Sequence, residues 1–171
     1  DADWRDLEFA GRRIDHLQIP AAFEAGKVFI PEATIETGGE TVVARVLRDA
    51  SSVGTRGTLS GKFNPALVQP LLPTNAQPFF NSCEFSEGVT LNLDASMPPD
   101  DPKKLKIGGK VDVRNARYKG ILLRQVAALM DLDGRKLTLR NVVLAKPEGE
   151  GSCPEMSFDL DTQLLEIQQA Q

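Results

Sequence analysis

The side chains able to do chemistry are few. The chain holds one histidine and two cysteines. His16 stands in Ile14-Asp15-His16-Leu17-Gln18-Ile19 and could serve as a general base if a nucleophile lay beside it. No G-x-S-x-G elbow or comparable nucleophile motif occurs, so His16 reads as structural or simply exposed. Cys83 and Cys153 belong to no C-x-x-C pair, and with a single histidine they complete no zinc set. They are either two thiols or one disulfide, and a bridge across so long a loop would stabilise by roughly 4 kcal/mol in the chain-entropy model. Asp159 and Asp161 could flank a glycosidic bond, with Trp4 available to meet a sugar, but a solvated polar strand face explains the two acids better. Asp131-x-Asp133-Gly134 opens like a calcium loop yet lacks the further acidic ligands and the closing glutamate. Gly54-x-x-Gly57-x-x-x-Gly61 has no Walker lysine and no long helix after it, so it cradles no phosphate. These residues predict no catalytic centre, no metal site and no cofactor.

The elements that must position any site are strands. Val89, Leu91, Leu93, Ala95 and Met97 alternate with Thr90, Asn92, Asp94 and Ser96, until Pro98-Pro99 ends the run. Leu105, Ile107, Val111 and Val113 alternate with Lys106, Lys110, Asp112 and Arg114. Leu137 and Leu139 alternate with Thr138 and Arg140, and Met156, Phe158 and Leu160 with Ser157, Asp159 and Asp161. Such alternation predicts antiparallel strands with one dry and one wet face. A run of about nine residues spans roughly 30 Å. Gly38-Gly39, Tyr118-Lys119-Gly120 and Asp133-Gly134 fall between runs, as hairpin turns should. Upstream, Leu7–Ile19, Lys27–Ile30, Thr34–Thr37, Thr41–Ala50 and Thr55–Phe63 read as shorter or less regular strands. Asn64 as an N-cap and Pro65 at a first helical position predict one short helix near 64–72, limited by Pro70 and Pro73. Three segments echo one another: Val28-x-Ile30-x-Glu32-Ala33-x-Ile35, Val111-x-Val113-x-Asn115-Ala116-x-Tyr118 and Leu137-x-Leu139-x-Asn141-Val142-x-Leu144. In each, the alternation slips phase after the polar position, which a β-bulge would produce.

Composition bounds the function. The 171 residues are 41% hydrophobic and 26% charged, with a formal net charge of -4, enough for one substantial core and too apolar for disorder. No dense Lys/Arg block gives an electrostatic footprint for nucleic acid. No run of apolar residues reaches the ~18–20 needed to span a bilayer. The polar start Asp1-Ala2-Asp3-Trp4-Arg5-Asp6 is no signal peptide and lacks Met, so the chain is expected to be a section of a larger protein.

A resemblance sharpens this. Ile19-Pro20-Ala21-Ala22-Phe23-Glu24-Ala25-Gly26-Lys27-Val28 and Gly57-Thr58-Leu59-Ser60-Gly61-Lys62-Phe63-Asn64-Pro65-Ala66-Leu67, followed by Pro70-Leu71-Leu72-Pro73, resemble segments of bacterial AsmA-like proteins. So do Leu105–Gly109, Val113-Arg114-Asn115-Ala116-Arg117-Tyr118-Lys119-Gly120, Asp133-Gly134-Arg135-Lys136-Leu137-Thr138-Leu139-Arg140-Asn141-Val142 and Lys146-Pro147-Glu148-Gly149-Glu150-Gly151, in the family's order. The resemblance to the AsmA-like family and its TamB relatives implies the envelope of a diderm bacterium. The bulk would lie in the periplasm, and the parent protein would be anchored at the inner membrane through parts outside this chain. It further implies a curved β-sheet whose apolar groove carries phospholipid acyl chains.

The expectation is therefore a single all-β domain over 1–171, with long antiparallel amphipathic strands forming a curved sheet able to make a groove. Its lining candidates are Val89, Leu91, Leu93, Ile107, Val111, Val113, Leu137, Leu139 and Phe158. An ordinary core would use the same residues. The alternatives are a closed β-sandwich serving structure or protein interaction in the envelope, and a carbohydrate-binding or carbohydrate-acting protein using Trp4, Asp159 or Asp161.

Overall fold

A computed structural model describes residues 1–9, 11–49, 54–65, 81–101, 104–159, 161–162 and 164–168. Alternating aliphatic and polar side chains produce strands almost throughout. They are β1 (Ala2–Phe9), β2 (Arg12–Ile19), β3 (Ala22–Glu24), β4 (Lys27–Thr37), β5 (Glu40–Asp49), β6 (Gly54–Phe63) and β7 (Cys83–Phe85). There follow β8 (Val89–Met97), β9 (Lys106–Tyr118), β10 (Ile121–Asp133), β11 (Lys136–Lys146), β12 (Gly149–Asp159) and β13 (Leu165–Gln168). All join one antiparallel sheet in the order β1-β2-β4-β5-β6-β8-β9-β10-β11-β12-β13, with β3 beside β4 and β7 beside β9. The sheet is open and curved, and among the described residues β1 and β13 are its edges. At ~4.8 Å per strand step the path is roughly 48 Å across.

Turn chemistry sets the meander. Gly38-Gly39 hold φ of 56° and 80°, and Lys119-Gly120 hold 49° and 80°, as two-residue hairpin loops whose twist matches the strands require. The unforeseen loop Ala25-Gly26 repeats this with 47° and 77°. Two upstream readings need correction. The stretch Leu7–Ile19 is a hairpin turning at Gly11 (φ 74°), and Lys27–Ile30 and Thr34–Thr37 are one strand, β4, whose register to β5 shifts between Ile30 and Ala33. The short helix expected over 64–72 falls almost wholly outside the described residues; Asn64 and Pro65 follow directly on β6.

In two of the three echoed segments a register shift sits where the alternation slips phase; in β9 the register to β10 is unshifted and a left-handed residue marks the place. Glu32 lies inside the register shift of β4. Asn141 (φ 52°) lies where β11 slips against β10 between Ala127 and Leu129. Asn115 holds φ of 48° in β9, and its side-chain amide donates to Glu87. A left-handed residue reverses which side the next side chain takes, so Val113 and Ala116 both line one hollow, as the sequence slip anticipated.

One face of the sheet is laced with charge. Arg114 pairs with Asp112 at 3.1 Å, Lys106 with Asp133 at 3.0 Å, and Arg140 reaches both Glu155 at 3.3 Å and Asp131 at 3.6 Å. Each such exposed pair contributes ~0–1 kcal/mol, so the pairs favour this face for water more than they hold the fold together. Asp131 and Asp133 are thus spent on cross-strand pairs around a Gly134 turn.

Candidate functional site

The cross-strand register settles which side chains share the other face. Leu93 lies between Leu59 and Gly109, Leu91 between Gly61 and Val111, and Val89 opposite Phe63. Val111 continues to Ala128, Val113 to Val126, and Ile107 to Leu132. Leu132 then faces Leu137 and Met130 faces Leu139, while Phe158 and Met156 follow on β12. The nine lining candidates therefore stand on one face, joined by unbroken ladder rows. The face also extends further than the sequence reading placed it. Val42, Ala44 and Val46 of β5 pair with Gly61, Leu59 and Gly57, and Ile35, Ala33 and Ile30 of β4 carry the stripe on to Leu17 of β2.

This face is apolar and, among the described residues, uncovered. Val89 is buried at 6% exposure, but the other eight candidates are half-buried, and among the described residues no large side chain is fully enclosed. No second layer of described residues packs on it: contacts between elements follow the ladder. Each half-exposed leucine leaves on the order of 1 kcal/mol of apolar burial unrealised.

On this face a hollow of about 460 Å³ near the β9–β10 turn is lined by Phe63, Cys83, Phe85, Val113, Ala116 and Val126. A shallower hollow of about 580 Å³ on the charged face runs past Phe29, Leu47 and Arg56.

The other chemical candidates disperse. Cys83 and Cys153 are unbridged thiols. Cys83 sits on β7 beside Tyr118 and Cys153 on β12 beside Val142, four strand steps apart. That is roughly 19 Å by strand spacing, against the ~7 Å between Cα atoms a disulfide can bridge. Burial pushes the Cys83 thiol up, away from thiolate chemistry. His16 Nε2 lies 3.1 Å from Asp3 Oδ1 and its Nδ1 3.7 Å from Glu36 Oε2, between two carboxylates and beside no nucleophile. Among the described residues no three His, Cys, Asp or Glu side chains are placed to hold a metal ion, and no helix is long and apolar enough to cross a membrane.

The Asp159–Asp161 pair is a turn. Asp159 ends β12, and its Oδ1 accepts the N–H groups of Thr162 at 2.8 Å and Asp161 at 2.9 Å, while Asp161 pairs with Arg135 at 2.7 Å. Trp4, on β1, is separated from them by roughly 43 Å of sheet at the usual strand spacing, so the three form no single site. The Thr162 and Asp161 N–H groups hold the Asp159 carboxyl below its ordinary value. A depressed folded-state pKa adds stability that is present above the unfolded pKa and lost as pH falls through the folded one. Thermal scans should thus show the wild type's advantage over Asp159→Asn at pH 7 shrinking steadily on acidification towards pH 3.

No family model, no curated protein and no solved structure matches the chain. Fold and face together define a class: an open antiparallel sheet with one charged face and one continuous apolar face on which no other described residues pack. The AsmA-like resemblance accordingly stands on its own segments.

Proposed function

We propose that this chain is a non-enzymatic section of an AsmA-like envelope protein, whose apolar face forms a groove for phospholipid acyl chains in lipid transport or outer-membrane homeostasis. The observation that carries the reading is the half-exposed aliphatic stripe running without interruption from β2 to β12. Its path of roughly 38 Å over eight strand steps is about two and a half times the ~15 Å hydrocarbon depth of one bilayer leaflet, so more than one chain could lie end to end. Acyl chains would slide along the stripe with headgroups in water, driven by the difference in composition between membranes. A periplasmic location and an inner-membrane anchor elsewhere in the parent protein belong to the same proposal.

A second reading, a protein-interaction module, draws on the edges β1 and β13, which among the described residues offer unpaired backbone groups to an added strand. Native mass spectrometry of detergent-free protein purified from cells separates the two. The groove reading expects phospholipid-sized adducts released on activation; a uniformly clean apo mass favours the interaction module.

A further inference from the structure

On the charged face, four polar side chains stand in a two-by-two block across β6 and β8. Arg56 lies opposite Ser96 and Thr58 opposite Asp94, so all four point to one side. Among the described residues none of the four side chains makes a hydrogen bond or an ion pair. The charges around them are committed: Arg45 to Glu32 at 2.6 Å, Lys106 to Asp133 at 3.0 Å and Asp131 to Arg140 at 3.6 Å. The block lines the hollow of about 580 Å³, and Gly108, opposite Asp94, leaves its floor open. The β4 end of the hollow is apolar. There Phe29 and Leu47 stand opposite each other at 45% and 43% exposure, and Leu47 in turn lies opposite Arg56, so both share the side of the polar block.

A free guanidinium, a free carboxylate and two hydroxyls offer donors and acceptors with no net charge, beside an exposed aromatic ring. That combination complements a ring with hydroxyls on its edge and C–H groups on its face. We propose that this hollow binds a neutral oligosaccharide, with Phe29 and Leu47 against the sugar rings and Arg56 and Asp94 bonded to their hydroxyls. The site runs from β4 through β5 and β6 to β8, roughly 14 Å over three strand steps. A single amino acid spans only about 3.5 Å, so the length suits several rings in a row. A zwitterion would also rely on attraction between charges, which open water screens to little. Trp4, Asp159 and Asp161 take no part. The site lies on the face away from the groove and stands or falls independently of the lipid reading.

The test titrates the isotope-labelled 171-residue chain with maltotriose, cellotriose and triacetylchitotriose and follows its backbone amide signals. At least one trisaccharide should bind, with the largest shifts at Arg56, Thr58, Asp94 and Ser96. For that sugar, Arg56→Ala and Asp94→Ala should each weaken binding about tenfold, the loss of one hydrogen bond to a charged group. Phe29→Ala should weaken it about fivefold. Asp94→Asn keeps a hydrogen-bonding side chain without the charge and should stay within about threefold of wild type. Lys110→Ala, opposite Asn92 on the same face but outside the hollow, should match wild type. Lipid carried by the protein should be the same in all these variants. No response to any of the three sugars, shifts gathered elsewhere, or undiminished affinity in Arg56→Ala and Asp94→Ala would overturn the site. A response of the same amides to leucine, with none to the sugars, would overturn the sugar assignment.

Discussion

Gly109→Ala should be among the most damaging single-methyl additions in this molecule, lowering stability by roughly 3 kcal/mol or more. Gly109 holds φ of 148° where β9 runs beside β8, and a Cβ built there would stand 2.0 Å from the Asn92 carbonyl oxygen and 2.8 Å from the Leu93 Cα. Both are backbone atoms of a neighbouring strand, so no rotamer change relieves the clash. The sheet would have to unbend. Gly61 repeats the arrangement, with φ of 134° and a built Cβ 2.2 Å from the Thr41 carbonyl oxygen. Gly108 supplies the control within the same strand: the only atom near its built Cβ is the Met130 carbonyl oxygen at 3.9 Å, so Gly108→Ala should change stability by no more than about 0.5 kcal/mol. For a chain of this size the predicted contrast is a melting temperature roughly 6–12 °C lower for Gly109→Ala and almost unmoved for Gly108→Ala. Equal melting curves would show that the close approach of β8 and β9 is not needed for the fold.

The same glycine shows where sequence reasoning stopped. Gly57, Gly61 and Gly109 stand on the apolar face, and in sequence they look like gaps in the alternation or a failed phosphate loop. Their purpose depends on how close the adjoining strand lies, which no local pattern encodes. By contrast, β8 and the loops at Gly38-Gly39 and Lys119-Gly120 were legible, though those at Gly11 and Ala25-Gly26 were not. The alternation from Val89 to Met97 fixes both extent and face, and paired left-handed residues at Gly38-Gly39 fix a two-residue turn.

β10 lies between these cases. Val126-Ala127-Ala128-Leu129-Met130 is apolar on both parities, so period two identifies a strand without saying which side joins the apolar face. Only the pairing of Val126 with Val113, and of Ala127 with Asp112, assigns the faces. Leu129, 39% exposed on the charged side, is the cost of that ambiguity. Ala116 and Leu144 were missed for a related reason. They follow Asn115 and Asn141, and after a left-handed residue the count of odd and even positions starts again. The echoed segments held that signal; what they lacked was the partner strand needed to turn a phase slip into a place on a face.

Leu93→Asp should leave a folded protein that has lost its lipid. Leu93 is half-buried at the middle of the apolar face, and its ladder neighbours Leu59 and Gly109 bring no cation to a new carboxylate. If the face is open to water or to a mobile acyl chain, the carboxylate stays hydrated, and the cost is that of one half-buried leucine, about 1–2 kcal/mol. The charge then opposes hydrocarbon directly, and phospholipid carried per protein in native mass spectra should fall at least about tenfold, the equivalent of 1.4 kcal/mol. If the same face were the closed core of an ordinary domain, an unpaired carboxylate there would cost more than about 4 kcal/mol and the protein would be lost from the soluble fraction. Asn92→Asp, one residue away on the charged face opposite Lys110, should alter neither folding nor lipid content. Circular dichroism and native mass spectrometry on the two variants therefore read groove against core in a single comparison. A folded Leu93→Asp that still carries wild-type lipid would place the acyl chains somewhere other than this stripe.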